Sequence, residues 1–299
     1  MIITTGIGAL SGSVIIAQEK GFFREQGVNT VTTSMKRGKV AFQTYEQGKS
    51  DVAVNNSLHI VRSDFDASRH VIIGTVAYSD NQTKLVARKS AGIATISDLK
   101  GKKIALPRAG FAHFFLEKFL LFNGLTLDDV DVIFASKKNL PDAIESNRAD
   151  GIINHGMPIA KTKTLLGDDH VTFQNPTIHR KTNQILVPRA WVNEHREQAR
   201  GLLKAIIKAE NFVKTHTQES IEILAKAKNY NPREMAQTVR HEMKYYLSLK
   251  QSIFTELEGM ENWALDNGIV ARKTPRNYFN LVDFSLLEEI DPARVSIIR

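Results

Sequence analysis

Short apolar runs alternate along the first part of the chain with segments whose apolar positions recur every three or four residues. The runs predict buried strands, and the recurring pattern predicts amphipathic helices. Ile2 to Ile7 reads as a strand. Ser13 to Lys20 reads as a helix, with Ser11 or Ser13 as N-cap and Gly21 near its stop. Val31 to Met35 is strand-like, and Gly38 to Gln47 is helical and ends at Gly48. Val52 to Val54, Val71 to Val76 and Leu85 to Ala87 read as short buried strands. Lys103 to Leu106 is again a strand, and Phe111, Phe114, Phe115, Lys118 and Phe119 fall at helical spacing up to Gly124. Val132 to Phe134 is a strand, Pro141 sits in the first turn of a helix, and Ile152-Ile153 is a strand. This alternation predicts mostly parallel sheets with helices on both faces.

From Val192 the pattern turns helical. Ala199, Leu202, Leu203, Ile206, Ala209, Phe212 and Val213 trace one apolar stripe. Helices are expected over 217–228, 231–248 and 251–267, and no strand long enough to found a third sheet. The simplest placement wraps this tail onto the first lobe, with a short tether across the second. Glu256, Glu258 and Glu261 read as the solvated face of a polar helix.

The chain carries echoes of itself. Glu46-Gln47-Gly48-Lys49-Ser50-Asp51-Val52-Ala53-Val54 closes a helix, turns and enters a strand, and Glu145-Ser146-Asn147-Arg148-Ala149-Asp150-Gly151-Ile152-Ile153 does the same. Asn81 to Arg88 is matched by Asn183 to Arg189, and the segment up to Gly27 by the segment up to Gly124. The spacing is about a hundred residues each time, against ~20–50 for a solenoid, so two lobes built alike are expected. Their boundaries read as 1–86 plus 190–299 for the first lobe and 87–189 for the second.

Composition narrows the class. The chain has 299 residues, 42% apolar and 24% charged, which is a globular balance with room for one large or two ordinary domains. Cysteine is absent, which removes disulfides, zinc-thiolate sites and cysteine nucleophiles. The net charge of +8 suits an anionic partner. The basic residues form no tail and do not interleave with aromatics, so no nucleic acid is expected. No apolar run reaches the ~20 residues of a membrane span. The N-terminus lacks a basic start and an apolar leader core. The expectation is therefore a cytoplasmic protein if the chain is complete, or a periplasmic one if a leader precedes Met1.

Ligands of open parallel sheets bind outside the carboxyl ends of the strands, and two such lobes facing each other would make a cleft. The residues just after each strand are the candidates. Ser11, Gly12 and Ser13 stand in a small-residue loop before a helix, where free N–H groups attract anions. Asn55, Asn56 and Ser57 follow another strand, and Tyr78 a third. In the second lobe, Arg108, Ala109, Gly110, Phe111 and Ala112 mirror the first loop, and Arg108 suits a bidentate contact to an oxyanion. Asn154 and His155 follow the last strand, and His179 is a weaker candidate. The plainer readings are a helix cap for Ser13, turn chemistry for the asparagines, a solvated Arg108 and an interface His155. No metal-binding histidine spacing, nucleophile elbow, phosphate-cradling loop or dinucleotide fingerprint occurs, so no catalytic residue, metal or cofactor is expected.

Several segments resemble one family. Ala17-Gln18-Glu19-Lys20-Gly21-Phe22-Phe23 followed by Gly27 is similar to the opening helix of the nitrate/sulfonate/taurine group of ABC-importer solute-binding proteins. Ile96-Ser97-Asp98-Leu99-Lys100-Gly101-Lys102-Lys103-Ile104-Ala105 resembles its DLKGKKIA stretch, and Gly124-Leu125-Thr126-Leu127-Asp128-Asp129-Val130 its GL-DDV turn. The resemblance covers roughly residues 1–210. It implies an α/β, two-lobed clamp of the type II periplasmic-binding-protein kind, with a helical C-terminal tail and a hinge near 81–88 and 183–190. It also implies ligand contacts at Ser11, Ser13, Asn55, Ser57, the Arg108–Ala112 loop, Asn154 and His155. Where sulfonate binders resemble GSS, this chain has Arg108-Ala109-Gly110-Phe111; of their DAW-W-P stretch only Asp150 and Pro158 survive. Phe111, Met157, Tyr78 and His155 suit a flat or partly apolar group beside an anion.

The resulting expectation is a monomeric solute-binding component that carries a small anionic or aromatic molecule, sulfonate-, nitrate- or carboxylate-like, to an inner-membrane permease. The alternative is an enzyme on the same fold. The missing cysteine argues against sulfinate desulfinases and cysteine-dependent thiamin-pyrimidine synthases, whereas a chorismate-dehydratase-like enzyme needs none. The effector half of a transcription regulator is a third class, disfavoured because no helix-turn-helix precedes residue 1.

Overall fold

The computed structural model describes residues 1–6, 8–35, 37–64 and 66–298. Ile7, which closes the first predicted strand, lies outside the described residues. Two compact units divide the chain: Met1–Ser79 with Lys181–Arg299, and Asp80–Arg180. In chain order the larger unit opens with β1 (Ile2–Gly6), α1 (Gly12–Glu19), α2 (Phe22–Glu25), β2 (Val31–Met35), α3 (Gly38–Glu46), β3 (Val52–Asn56), α4 (Ser57–Arg62) and β4 (His70–Ser79). The smaller unit holds β5 (Lys84–Arg88), β6 (Lys103–Leu106), α5 (Phe111–Phe122), β7 (Asp131–Phe134), α6 (Leu140–Glu145), β8 (Gly151–Asn154), α7 (Met157–Leu166) and β9 (His170–Phe173). The chain then re-enters the larger unit with β10 (Lys181–Pro188), α8 (Arg189–Glu194), α9 (Arg196–Thr215), α10 (Thr217–Lys228), α11 (Pro232–Gln237), β11 (Lys244–Lys250), α12 (Ser252–Asp266), α13 (Ser285–Ile290) and β12 (Val295–Ser296).

The larger unit's sheet runs β12-β11-β4-β10-β3-β1-β2, and the smaller unit's runs β7-β6-β8-β5-β9. In the first, β1 lies parallel to β2 and β3, and β10 is antiparallel to β3. In the second, β6 lies parallel to β7 and β8, and β5 is antiparallel to β8. Thus β2-β1-β3-β10 and β7-β6-β8-β5 match strand for strand and direction for direction. The sequence echoes fall on equivalent elements: α3 and β3 against α6 and β8, and β5 against β10. The sheets are mixed rather than mostly parallel, because β5 and β10 enter from the opposite end.

Period-two alternation explains how the smaller sheet is covered on both faces. Ile104 and Leu106 pack with Phe115 and Phe119 of α5 on one face. Ala105 and Ile152 pack with Leu140 and Ile144 of α6 on the other. Among the described residues no helix is long and apolar enough to cross a membrane.

Three expectations are corrected. The chain changes units after Ser79 and after Arg180, rather than at 86/87 and 189/190. Its reason is pairing: Lys84–Arg88 is laddered to β8 and β9, and Lys181–Pro188 to β3 and β4, so both stretches expected as hinge are strands inside a sheet. The helix expected over 231–248 ends at Gln237, widens into a π turn over Thr238–Glu242, and gives way to the seven-residue strand β11. Tyr245, Leu247 and Leu249 are buried at every second position, the mark of a strand, and β11 ladders to β4. Finally, no tail segment is assigned to the smaller unit.

Candidate functional site

In the larger unit the candidate residues gather where β1 and β3 end and β10 begins. Ser11 is fully buried and makes no cap bond to α1. Thr5 Oγ1 donates to Val54 O at 2.9 Å, so the Ser11 hydroxyl supplies the proton of the Ser11–Thr5 bond. Ser11 Oγ also accepts from Asn183 Nδ2 at 3.1 Å. Asn56 is the N-cap of α4, its Oδ1 accepting from Leu58 N at 3.0 Å while its Nδ2 donates to Thr182 O at 2.9 Å. Asn55 Nδ2 donates to Gly38 O at 2.8 Å, and its Oδ1 accepts from Asn56 N at 2.9 Å.

A directed hydrogen-bond chain ties these strand ends together. Thr75 Oγ1 donates to Gln184 Oε1 at 2.6 Å, and Gln184 Nε2 donates to Ser57 Oγ at 3.1 Å and to Thr182 Oγ1 at 3.0 Å. The Thr182 hydroxyl donates to Glu256, so across the 2.8 Å contact Ser57 is the donor and Thr182 the acceptor. Ser57 is fully buried and Tyr78 partly buried, the latter in register with Thr182 and Lys244 on its two neighbouring strands. Such a network fixes the geometry of the corner, because each buried polar group left unpaired would be costly.

The loop between β1 and α1 is gripped from behind. Tyr245 Oη donates to Ala9 O at 2.8 Å, and Lys228 Nζ donates to Gly8 O at 2.9 Å. A side chain at position 12 would collide with the tyrosine, since a Cβ on Gly12 would lie 2.5 Å from Tyr245 Oη. Ser13 is fully buried in the first turn of α1, and its Oγ has no partner among the described residues. Burial alone pushes the Lys228 ammonium pKa down to about 7.

In the smaller unit the other candidates follow the carboxyl ends of the adjacent parallel strands β6 and β8. The Arg108 guanidinium lies 5.2 Å from the centroid of the Phe134 ring, and the His113 ring meets the same ring edge-on with centroids 5.2 Å apart. Ala109 adopts φ 55°, a left-handed conformation uncommon for alanine, and Gly110 precedes α5 without a capping side chain. The first turn of α5 carries no carboxylate, so its N–H groups and Arg108 offer positive character in one loop. Phe111 packs on Phe114 and His179, and Ala112 is buried in the core. Asn154 is buried with its Oδ1 on His155 N at 2.8 Å, and Lys137 Nζ stands 3.4 Å from His155 Nε2.

Sequence reasoning missed Thr182, Gln184, Glu256, Tyr245 and Lys228. Gln184 lay in the stretch 183–190 read as hinge, and Thr182 just before it. Glu256 and Glu261 were read as solvated, but Glu256 is half-buried and bonded to Thr182, and Glu261 is fully buried between Arg272 and Tyr278. Composition carries no signal for such distant partners. A surface depression of about 430 Å³ lies elsewhere, lined by Gln18, Lys20, Arg24, Asn29 and Thr30 near the start of β2, away from the carboxyl ends of the strands.

Two α/β units of matched topology, each with small polar residues at the carboxyl ends of its parallel strands, define the periplasmic-binding-protein fold. Solved structures agree on that fold. The periplasmic aliphatic sulphonate-binding protein SsuA from Escherichia coli superposes with a TM-score of 0.79 over 92% of this chain and 94% of its own, at 16% identity. The periplasmic nitrate-binding protein NrtA from Synechocystis PCC 6803 gives 0.71 over 98% and 88%, at 12% identity. The sequence model of the NMT1/THI5-like family matches residues 11–220, and the chain belongs to that family. A Brucella abortus protein provisionally named as a binding protein is 27% identical over 224 residues, 71% of this chain and 66% of that relative. The match thus spans just under two thirds of the relative's length. A Haemophilus influenzae protein provisionally named for thiamine biosynthesis is 23% identical over 47% of this chain and 44% of its own.

Proposed function

We propose that this protein is the solute-binding component of an ABC importer, taking up a small anionic molecule and handing it unchanged to a membrane permease. The observation that carries the reading is the likeness of fold, over nearly the whole chain, to the sulphonate-binding SsuA. The carboxyl ends of β3 and β4 and the loops after β6 and β8 supply the ligand contacts in this reading: Asn55 and Tyr78 from one unit, and Arg108, the N–H groups of Ala109 to Ala112, and His155 from the other. Ser11, Ser57 and Asn56 act as the frame that holds those loops. The compartment implied is the periplasm.

The family and the Haemophilus relative favour a second reading, in which the ligand is a pyrimidine precursor of thiamine. A thermal-shift panel of sulfonates, nitrate, carboxylates and pyrimidines separates the two, with calorimetry on each hit. Arg108→Ala is expected to weaken an anionic ligand at least tenfold, as loss of a charge-assisted contact of about 1.5–3 kcal/mol implies. Unchanged affinity would remove the smaller unit's loop from the site. Mass spectrometry on the incubated ligand is expected to return it intact, and conversion would replace the importer reading with an enzyme.

A further inference from the structure

The sheet of the larger unit ends on one side in β2, and that edge is open. Val31 N donates to Met1 O at 3.0 Å, and β2 runs parallel to β1 with Ile2 opposite Val31. Backbone groups alternate in direction along a strand, so Val31, Thr33 and Met35 address β1 while the N–H and C=O of Thr32 and Ser34 point outward. Those outward groups meet no partner among the described residues. Val31, Thr33 and Ser34 are exposed, Val31 at 64%.

Edge strands are ordinarily protected, because a free row of backbone groups templates another strand. The other edges of the two sheets carry such protection. β12 is two residues long. β7 opens on Asp131, and its Phe134 lies under the Arg108 guanidinium. β9 opens on His170 directly after Asp168 and Asp169. By contrast β2 has five residues, Val31-Thr32-Thr33-Ser34-Met35, with no charge, no proline and no glycine, and Val31, Thr32 and Thr33 are β-branched.

The surroundings of this edge are basic. Arg24 stands at the start of β2, lining the depression of about 430 Å³ together with Asn29, Thr30 and Val31. Arg37 follows the other end, and Lys39 lies in the first turn of α3, which has no carboxylate. Arg24, Arg37 and Lys39 are exposed, and the two guanidinium groups have no ion-pair partner among the described residues. Of the neighbouring carboxylates, Glu25 is paired with Lys208 and Glu219 with Lys20, which leaves Glu19 against the three cations. A second copy of this chain, pairing antiparallel through β2, would set Arg37 of each against the Arg24 end of the other, like charge to like. A strand that carries carboxylates meets the reverse.

We propose that the β2 edge is a docking site for an extended acidic segment of another protein. The segment adds to the larger sheet as a further strand, bonded to the backbone of Thr32 and Ser34 and flanked by Arg24 and Arg37. The site uses none of the ligand contacts proposed above and stands whether or not the importer reading does.

The test measures binding of a fluorescein-labelled peptide to the full chain by anisotropy at low ionic strength. The peptide alternates valine and threonine and carries a glutamate at each end; one control has lysine at both ends, and another has proline at its centre. Saturable binding of the glutamate peptide is expected, with the lysine peptide weaker and the proline peptide silent. Ser34→Pro removes one outward N–H without touching the ladder to β1, at an edge position where proline is tolerated, and is expected to abolish binding. Arg24→Gln/Arg37→Gln is expected to lose about fivefold in affinity, as two exposed ion pairs imply, and Lys161→Gln/Lys204→Gln none. Should Ser34→Pro fail to fold, Ser34→Glu at the same exposed position replaces it, and is expected to weaken the glutamate peptide and strengthen the lysine one. No saturable binding, equal affinity for the two end charges, or binding unchanged in the Ser34 variant overturns the proposal. Sedimentation of the protein alone that shows a dimer, lost in the Ser34 variant, overturns it too and gives the edge to a second copy.

Discussion

Replacing Lys228 by methionine tests how the loop before α1 is held. Lys228 is 3% exposed, and burial brings its pKa from 10.5 to about 7. The unfolded chain therefore holds a proton on this side chain, between those two values, that the folded chain gives up. Stability then rises with pH over that window and lies at its lower level at and below the folded value. The gap of 3.5 pH units between 10.5 and 7 corresponds to about 5 kcal/mol at ~1.4 kcal/mol per unit. Methionine removes this cost and forfeits the bond to Gly8 O, about 1 kcal/mol. Lys228→Met is thus expected to be more stable than the parent at pH 7 by roughly 2–4 kcal/mol, read from urea midpoints. The advantage is expected to shrink steadily as pH rises from 7 towards 10, where the folded lysine is neutral and the unfolded one begins to lose its proton. An advantage that stays constant from pH 7 to 10, or a variant less stable at pH 7, would refute the account of a desolvated ammonium.

Other expectations follow from packing and charge. Gly12→Ala pushes a methyl group against the Tyr245 ring and is expected to cost ~1–3 kcal/mol; in a Tyr245→Ala background most of that cost should vanish, and additive losses in the double-mutant cycle would rule the clash out. Arg272→Met leaves the fully buried Glu261 without the guanidinium that donates to it at 2.6 Å, an expected loss of ~3–5 kcal/mol by denaturant titration. Burial raises the Glu261 pKa, but hydrogen bonds from Arg272 and Tyr278 outweigh it and hold it below the usual 4.5. Its contribution should therefore be complete above that value and be lost as pH falls through the lower folded value, so Glu261→Gln should flatten the acid limb of the stability profile.

Local signals carried most of the architecture. The strand Lys103–Leu106 and the helix over 217–228 have the bounds the pattern predicts, because apolar period and turn residues set them within a few positions. Gly48 and Gly124 end helices as expected, with φ of 68° and 73°, where a side chain would be strained. What failed was whatever depends on a distant partner. Lys244–Ser248 reads as the end of a helix because Pro232–Gln237 leads into it with helical spacing, yet the unpaired edge of β4 captures it as part of the strand Lys244–Lys250. Glu261 reads as solvated because its neutralising Arg272 and the donating Tyr278 hydroxyl lie 11 and 17 residues away.

The same division explains what could be read of the site. Strand ends could be located from periodicity, so Ser11, Asn55, Asn56 and Ser57 were found at the carboxyl ends of β1 and β3. Whether each side chain faces a ligand or its own scaffold is decided by residues from elsewhere in the chain. Ser11 is bound to Asn183, and Ser57 to Thr182 and Gln184, which approach only because β10 returns to pair with β3. A short polar residue at a strand end thus has two fates, and the returning strand chooses between them. His59 of α4 follows the same logic: burial brings its pKa down to about 4, Arg62, Lys181 and Lys39 add to the effect, and Lys181 reaches the end of β3 only through the β3–β10 ladder. Charge reversal at that strand, Lys181→Glu, should therefore raise the His59 pKa as read by NMR titration, since one of the charges opposing its protonation becomes a charge that favours it. An unmoved His59 titration in a folded Lys181→Glu variant would show that the ladder does not bring the two together.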